Sequence, residues 1–278
     1  MSYGQSTNRA EIHSHSVMSD GLHEPAEVAR ICDENGIEVW SLTDHDNCLG
    51  CADAARAASR LGIHFIPGIE ISAYDGQSIH ILGYAIRPEG SAMEEYSERR
   101  LAMREERMEW MVRECIRLGA TVELERVREI AGRGGVGRPH LARALVEAGQ
   151  VRDEQAAFDR LIGYGQPAYR ATTWPSVPEA IDIIHQAGGI AVAAHPGQDA
   201  QVARIPDWAR DGLDGVEVVH PSHTRAHVER LDTLAAEEGL LKTASSDFHG
   251  LSHYSADHFG QVDFPESWLD AFLDACGE

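Results

Sequence analysis

The sequence predicts an α/β fold on a parallel sheet or barrel, interrupted by an all-helical segment. Three observations predict it. Short apolar runs at 39–42, 190–194, 215–219 and 241–244 alternate with helical stretches, the rhythm of strand, crossover helix and parallel strand. That rhythm stops near residue 87 and resumes near 177. Short polar motifs rich in histidine and carboxylate follow the apolar runs. In a parallel barrel the ends of the strands converge on one face, so such motifs gather there.

Taken in order, residues 11–15 read as a strand running into a polar loop, and the fold is expected to begin near Glu11, after a frayed polar tail. Residues 25–35 read as a helix, with Pro25 at an early helical position and Gly36 past its end. The strand at 39–42 ends in Thr43-Asp44-His45-Asp46. The alanine-rich stretch 51–61 is helical and is stopped by Gly62. Residues 64–67 lead into Gly68-Ile69-Glu70, and 79–85 form another strand. From 91 to 118 the spacing of Leu101, Met108, Met111, Val112, Cys115 and Ile116 predicts one long helix whose Glu/Arg face is solvated. Residues 132–137 (GRGGVG) form a flexible turn that lacks the spacing of a nucleotide loop. Short helices are expected at 139–147 and 152–162. The chain thus divides into a barrel made of 11–86 and 177–278, and a helical insertion, 87–176. Beyond it come a helix at 178–187, a strand ending at His195-Pro196, a strand ending at His220, a helix at 223–238, a strand ending at Ser245-Ser246-Asp247, and a closing helix at 266–275.

At 278 residues and 43% hydrophobic, the chain can bury one large core. Its net charge of −21 excludes a diffuse basic face for long nucleic acid, so any phosphate must be captured locally. No run approaches the roughly 18 apolar residues of a membrane helix, and the first ten residues lack the apolar core of a secretory signal. Five cysteines, an odd number, suggest no disulfide framework, so a reducing cytoplasm is expected. Cys48 and Cys51 form a lone C-x-x-C, read as two small residues entering a helix.

Nine residues form a candidate ligand set: His13, His15, Asp20, His45, Glu70, His80, His195, Asp247 and His249. Imidazole with carboxylate suits Zn, Mn or Fe, and such a cluster generates hydroxide at neutral pH. His13 and His15 stand two apart, on one side of an extended strand, and Asp247 and His249 share that spacing. Glu70 has two oxygens and can bridge two ions. Eight of the nine lie at or just after a predicted strand end. His80 is the exception, inside an apolar run. His23, His64, His185, His227, His253 and His258 read as structural or surface residues.

In this order, H-x-H, SDG, TDHD, GIE, a lone histidine, AHP and SDFH resemble the PHP family, named for polymerase and histidinol phosphatase. The resemblance runs from about Glu11 to His249 and is closest to the TrpH-like phosphoesterases. With these it shares Gly137-Arg138-Pro139-His140-Leu141-Ala142, Pro167-Ala168-Tyr169 and the segment 217–224 (EVVHPSHT). The resemblance implies a distorted (β/α)7 barrel holding two or three divalent ions, Mn first and Zn or Fe as alternatives. One ion would take His13, His15, Glu70 and Asp247. A second would share Glu70 with His80 and His195. A third would take Asp20, His45 and His249. Asp44 and Asp46 would orient imidazoles. One departure stands out: relatives carry lysine before Pro-Ala-Tyr, where this chain has Gln166, followed by Arg170.

The implied activity is a metal-dependent phosphoesterase in which hydroxide attacks phosphorus. Its substrate would be a small phosphorylated metabolite, such as a 3′,5′-nucleotide bisphosphate or a short 5′-phosphorylated oligonucleotide. A cyclic sugar phosphate and histidinol phosphate are the alternatives. Asp247, His223 and His140 are the candidate catalytic residues. Arg138, His140, His223, Tyr169 and Arg170 are the candidate substrate contacts, with His220 a weaker one. Two other classes stay open: a non-catalytic metal-binding module, and an amide hydrolase, for which no lysine stands at a suitable strand end. No obligate protein partner and no membrane association are expected.

Overall fold

A computed structural model describes residues 6–7, 9–90, 92–251 and 253–277. The chain opens with β1 (Ser6–Thr7), β2 (Ala10–Glu11), α1 (Pro25–Glu34), β3 (Val39–Leu42), α2 (Cys51–Leu61), β4 (His64–Tyr74) and β5 (Ser78–Tyr84). Four helices follow: α3 (Ala92–Arg117), α4 (Leu124–Ala131), α5 (Arg138–Glu147) and α6 (Glu154–Ala157), the last continued by a π-helical turn, Phe158–Ile162. Next come α7 (Val177–Gln186), β6 (Ile190–Ala193), α8 (Asp199–Val202), α9 (Ile205–Arg210), β7 (Gly215–Val219), α10 (Arg225–Glu238) and β8 (Leu241–Ala244). A 3₁₀ turn (Tyr254–His258), β9 (Phe264–Pro265) and α11 (Glu266–Cys276) close the chain. The helix expected from Ser91 is described from Ala92; Ser91 lies outside the described residues.

Seven strands form one sheet in the order β2-β3-β4-β5-β6-β7-β8. The sheet curls until its edges meet. Ser14 bridges Phe248 in parallel, and the Ser245 hydroxyl accepts the N–H groups of Ile12 and His13 at 3.1 and 2.8 Å. The buried Glu11 carboxylate accepts from the Ser246 hydroxyl at 2.8 Å and binds the Ser245 hydroxyl as well. The result is a nearly closed seven-stranded barrel.

The sheet is mixed, where an all-parallel one was expected. β5 runs antiparallel to both β4 and β6, because only three residues separate β4 from β5 and a parallel pair needs a crossover of a dozen or more. This reversal resolves the His80 exception. His80 stands near the start of β5, and the start of an antiparallel strand lies on the same rim as the ends of its parallel neighbours. Glu70 lies three residues past Pro67, the last β4 residue paired with β3, so it also sits on that rim.

Alternate residues of β5 serve different cores. Leu82 and Tyr84 pack with Ile12, Ile66, Val192 and with Phe272 of α11, whose ring meets Tyr84 edge-on at 4.9 Å. Ile79 and Ile81 pack outward with Ile181 and Ile184 of α7. Helices α3 to α6 hold a core of their own around Met111, Val127, Leu141, Leu145 and Ile162.

Several predicted ends move by one or two residues. Thr224 caps α10, accepting from His227 N–H, so this helix starts after His223. Asp153 caps α6 in the same way through Ala156 N–H. Helix α4 was not foreseen; it is short, at eight residues, and carries no side-chain cap. Nor were α8, α9 and the two-residue pair β1–β9. The described tail is not wholly frayed: Ser6 and Thr7 pair with Pro265 and Phe264.

Candidate active site and metal centre

The nine candidate ligands gather on the rim where the strand ends converge. Glu70, buried and inaccessible, stands at the centre. One oxygen, Oε2, lies 3.5, 3.2 and 2.9 Å from ring nitrogens of His13, His15 and His45. The other, Oε1, lies 2.9 Å from His80 Nδ1 and 3.3 Å from His195 Nε2. Asp247 Oδ1 lies 3.2 and 3.0 Å from His13 and His15 Nε2. Asp20 faces His249 at 3.4 Å and His45 at 3.7 Å.

The grouping by distance refines the set implied by resemblance. His13, His15, Glu70 and Asp247 form one group as expected. The group around Asp20, His45 and His249 also takes in His15. His45 joins Glu70 and His80 in a third group, to which His195 is linked through Glu70.

These atoms fit a cation. His13 Nε2, His15 Nε2, His45 Nδ1, His80 Nδ1, Glu70 Oε2 and Asp247 Oδ1 are all buried without a hydrogen-bond partner. Buried polar atoms are nearly always paired, and here five of the six face one another, and His80 Nδ1 faces Glu70 Oε1, at 2.9–3.5 Å without hydrogen-bond geometry. Lone pairs directed at a common point are what a divalent ion requires.

Electrostatics agree. Burial pulls the His13 and His15 imidazoles down, but the surrounding Asp247, Glu70 and, for His13, Glu217 carboxylates outweigh it. They hold His13 well above its usual range and raise His15 to about 10. Burial raises Glu70 and Asp247, yet the histidines hold both well below the carboxylate range. Without metal, these carboxylates favour the protonated forms of His13 and His15.

The backbone is strained at the same place. Among the described residues, Asp46, Ala85, His195 and Asp247 are the non-glycines with positive φ, at 58°, 53°, 31° and 54°. Three of them belong to these motifs. Each such conformation costs on the order of 1–3 kcal/mol and persists only where the surroundings enforce it. Gly21 of the SDG turn is required for a related reason: a Cβ there would stand 2.5 Å from the His15 carbonyl carbon.

The carboxylate that orients an imidazole is Glu217, which sequence reasoning passed over. Buried in β7, it accepts from His13 Nδ1 at 3.2 Å and from the His195 backbone N–H at 2.8 Å. It thereby leaves His13 Nε2 free to face Glu70 and Asp247. A glutamate inside the apolar run 215–219 is an ambiguous signal, since the sequence does not say whether it is buried. Asp46 does not take that role, and Asp44 takes it only through Ser19, whose hydroxyl stands 3.4 Å from His15 Nδ1. Asp44 accepts from Ser16 N–H and from the hydroxyls of Ser16 and Ser19, fixing the loop after His15. Asp46 binds Arg104 at 2.5 Å, Tyr96 hydroxyl at 2.9 Å and Ser72 N–H at 2.9 Å. It ties α3 to the rim, since its buried charge needs a cationic partner.

Beside the cluster lies a cavity of about 270 Å³. Asp20, His45 and His80 line it together with Arg100, Arg104, Arg107 and Arg138 of α3 and α5. The charge density of α3 predicts a solvated face, yet Arg100, Arg104 and Arg107 line this cavity. Arg100 lies over the Trp174 ring at 4.2 Å and donates to Thr173 O. Burial, then the neighbouring Arg138 charge, lowers Arg107 to about 10. Such crowding of cations attracts an anion.

The remaining candidates divide. Arg138 and His140 line this cavity. His140 Nδ1 accepts from Gly137 N–H at 3.0 Å, and burial lowers it to about 4, so it stands there as a neutral donor through Nε2. Tyr169 supports Arg107 and Arg138, whose guanidinium carbons each lie 5.6 Å from its ring. Arg170 turns away: its guanidinium pairs with exposed Glu106 at 2.9 Å. His223 lies on another side, its ring 5.5 Å from that of His220, with Nδ1 donating to Val218 O. His220 in turn approaches Asp247 at 3.8 Å. His253, read as structural, packs 4.8 Å from the His249 ring.

Comparison with known proteins places this arrangement. The model of the PHP domain matches residues 11–164. A 5′-3′ exoribonuclease of Haemophilus influenzae is 33% identical over 87% of this chain and 90% of its own length. A 3′,5′-nucleoside bisphosphate phosphatase of Chromobacterium violaceum is 32% identical over 92% of each. A phosphoribosyl 1,2-cyclic phosphate 1,2-diphosphodiesterase of Eggerthella lenta is 32% identical over 86% of this chain and 94% of its own. Among solved structures, a Bifidobacterium adolescentis protein classed with the metal-dependent phosphoesterases superposes with a TM-score of 0.84, at 29% identity and 98% coverage of each chain. A Chromobacterium violaceum protein described as an amidohydrolase, with bound sulfate and no metal, superposes at 0.81, with 30% identity and 96% coverage of each. Sequence match and shared barrel lead to one conclusion: this chain belongs to the PHP family and is a metal-dependent phosphoesterase.

Proposed function

We propose that the chain hydrolyses a phosphate ester of a small nucleotide, a 3′,5′-nucleotide bisphosphate or a short 5′-phosphorylated oligonucleotide. The observation that carries this reading is the cavity that arginines from α3 and α5 line together with Asp20, His45 and His80. In a chain of net charge −21, a local cationic wall beside a ligand cluster selects an anionic ester. Its small volume suits a terminal phosphate with its sugar.

The proposed centre holds three ions, Mn first, with Zn or Fe as alternatives. One would be held by His13, His15, Glu70 and Asp247. The second would be held by Glu70, His80 and His195 with His45 alongside, and the third by Asp20, His45, His249 and His15. Such ions supply a hydroxide nucleophile at neutral pH and neutralise charge on the phosphoryl oxygens.

The chain's own residues do the rest. Arg138 offers a guanidinium fork that matches two phosphoryl oxygens. Arg104, anchored by Asp46, presents a second cation from a fixed position. His140, neutral, donates one hydrogen bond through Nε2. His223 keeps Nε2 free as an acceptor, the base-like face of a proton carrier near Asp247 and His220. Tyr169 holds the Arg138 and Arg107 planes. The insertion, 87–176, caps the site and excludes water from the leaving nucleoside. All five cysteines are thiols, which suits a reducing cytoplasm. No described helix is long and apolar enough to cross a membrane.

The Eggerthella relative's name motivates a second reading, a cyclic sugar phosphate diesterase. The test is a substrate panel on Mn-loaded protein: 3′,5′-bisphosphates, 5′-phosphorylated dinucleotides, cyclic sugar phosphates, histidinol phosphate and N-acyl compounds. Fastest hydrolysis of the first two, read as released phosphate or mononucleotide, supports the proposal. Preference for a cyclic ester, or amine release, refutes it.

A further inference from the structure

The Cys48–Cys51 pair has a more particular arrangement than two small residues entering a helix. Cys51 N–H donates to the Cys48 carbonyl at 3.1 Å. This closes a turn whose end Cα atoms lie within about 7 Å, close to the span a disulfide bridges. Both thiols point at one acceptor. Cys51 Sγ lies 3.4 Å and Cys48 Sγ 4.0 Å from the Gly68 carbonyl oxygen, and the two thiols interact with each other. Cys48 is half-buried and Cys51 is 5% exposed, and both line a surface cavity of about 610 Å³ between α2 and the start of α3. A small oxidant therefore approaches the pair through this cavity, with Cys48 the more exposed of the two. The pair also lies close along the chain to the metal centre. Cys48 follows His45 by three residues, and Gly68 precedes Glu70 by two.

We propose that Cys48 and Cys51 form a reversible disulfide, a redox-modification site set against the metal centre. The oxidant is a small-molecule disulfide. Cys48, the more exposed, loses its proton and attacks one sulfur of the oxidant; the oxidant S–S bond breaks and one thiolate leaves. Cys51, deprotonated, then attacks the Cys48 sulfur and displaces the second thiolate. Two protein thiols are oxidised to one disulfide, the oxidant is reduced to two thiols, and the two released protons go to the leaving thiolates. The Cys51 sulfur and burial hold Cys48 above the usual thiol range, so the exchange is slow at neutral pH and quickens as pH rises. The new bond removes two S–H contacts from the strand that carries Glu70 and stiffens the turn after His45.

The experiment treats the full-length native protein with glutathione disulfide at pH 8. Peptide mapping then reads the product without reduction, and Mn²⁺ titration follows. Expected is a loss of two mass units mapping to a Cys48–Cys51 bridge, an apparent Mn²⁺ dissociation constant at least threefold weaker, and reversal of both by dithiothreitol. Cys48→Ser and Cys51→Ser should each abolish the bridge; the mapping itself needs no variant and is independent of the substrate assigned above. Absence of this bridge, or bridging among other cysteines, overturns the modification site. A bridge that leaves Mn²⁺ affinity unchanged overturns its link to the metal centre.

Discussion

Replacing Glu217 by glutamine tests whether this centre depends on a residue that would touch no ion. The carboxylate accepts two hydrogen bonds at once, from His13 Nδ1–H at 3.2 Å and from His195 N–H at 2.8 Å. Glutamine has the same shape but one oxygen and one NH₂. If its oxygen faces His195, its NH₂ faces His13 Nδ1 and drives that ring's proton to Nε2, the atom facing Glu70 and Asp247. If it flips, NH₂ meets the backbone N–H of His195 in a donor–donor clash. Either way one charge-assisted bond is lost in a fully buried place. Such a bond contributes about 1.5–3 kcal/mol, or roughly 10- to 150-fold in an equilibrium constant at 1.36 kcal/mol per tenfold. The usual penalty for removing an imidazole's supporting carboxylate, about 10- to 100-fold in metal affinity, falls in the same window. The assay is Mn²⁺ titration of chelator-stripped E217Q by calorimetry, with thermal melting to show that the fold survives. A folded E217Q protein with wild-type metal affinity and turnover would refute the role assigned to Glu217.

Glu70→Ala should lose bound metal and turnover together; full activity with unchanged metal content, by elemental analysis, would sink its bridging role. Arg138→Ala should raise KM about 10- to 150-fold with metals retained, the loss of one charge-assisted contact, whereas Arg170→Ala, whose side chain faces Glu106, should stay within about twofold; steady-state kinetics on a bisphosphate separates the two. For the metal-free protein the pH dependence has a definite sign. Against burial, Asp247 and Glu70 hold His15 at about 10 in the fold against 6.5 free, so its stabilisation is complete below about pH 6.5 and fades as pH climbs towards 10. Melting of chelator-treated protein should therefore weaken from pH 7 to 10, while Mn-loaded protein, whose ions replace those protons, should not follow. A parallel decline in both forms would contradict the proton-holding site.

The sequence by itself determined the barrel's alternating rhythm, the helical interruption and the nine residues that meet on the rim. Those are local or periodic properties: β3, α2, β7 and β8 appear at the residues expected from apolar runs and glycine stops. Tertiary structure alone decided which atoms face each other. Only the antiparallel turn of β5 explains how His80 reaches Glu70, because strand direction depends on the length of the connection and not on the apolar run. Only packing reveals Glu217, since a lone glutamate in an apolar strand looks the same whether it is an edge residue or a buried acceptor. The α3 arginines read as a solvated face because charge density does not say which side of a helix points inward. Asp46, too far in sequence from Arg104 to suggest a pair, is what turns that side towards the metal centre.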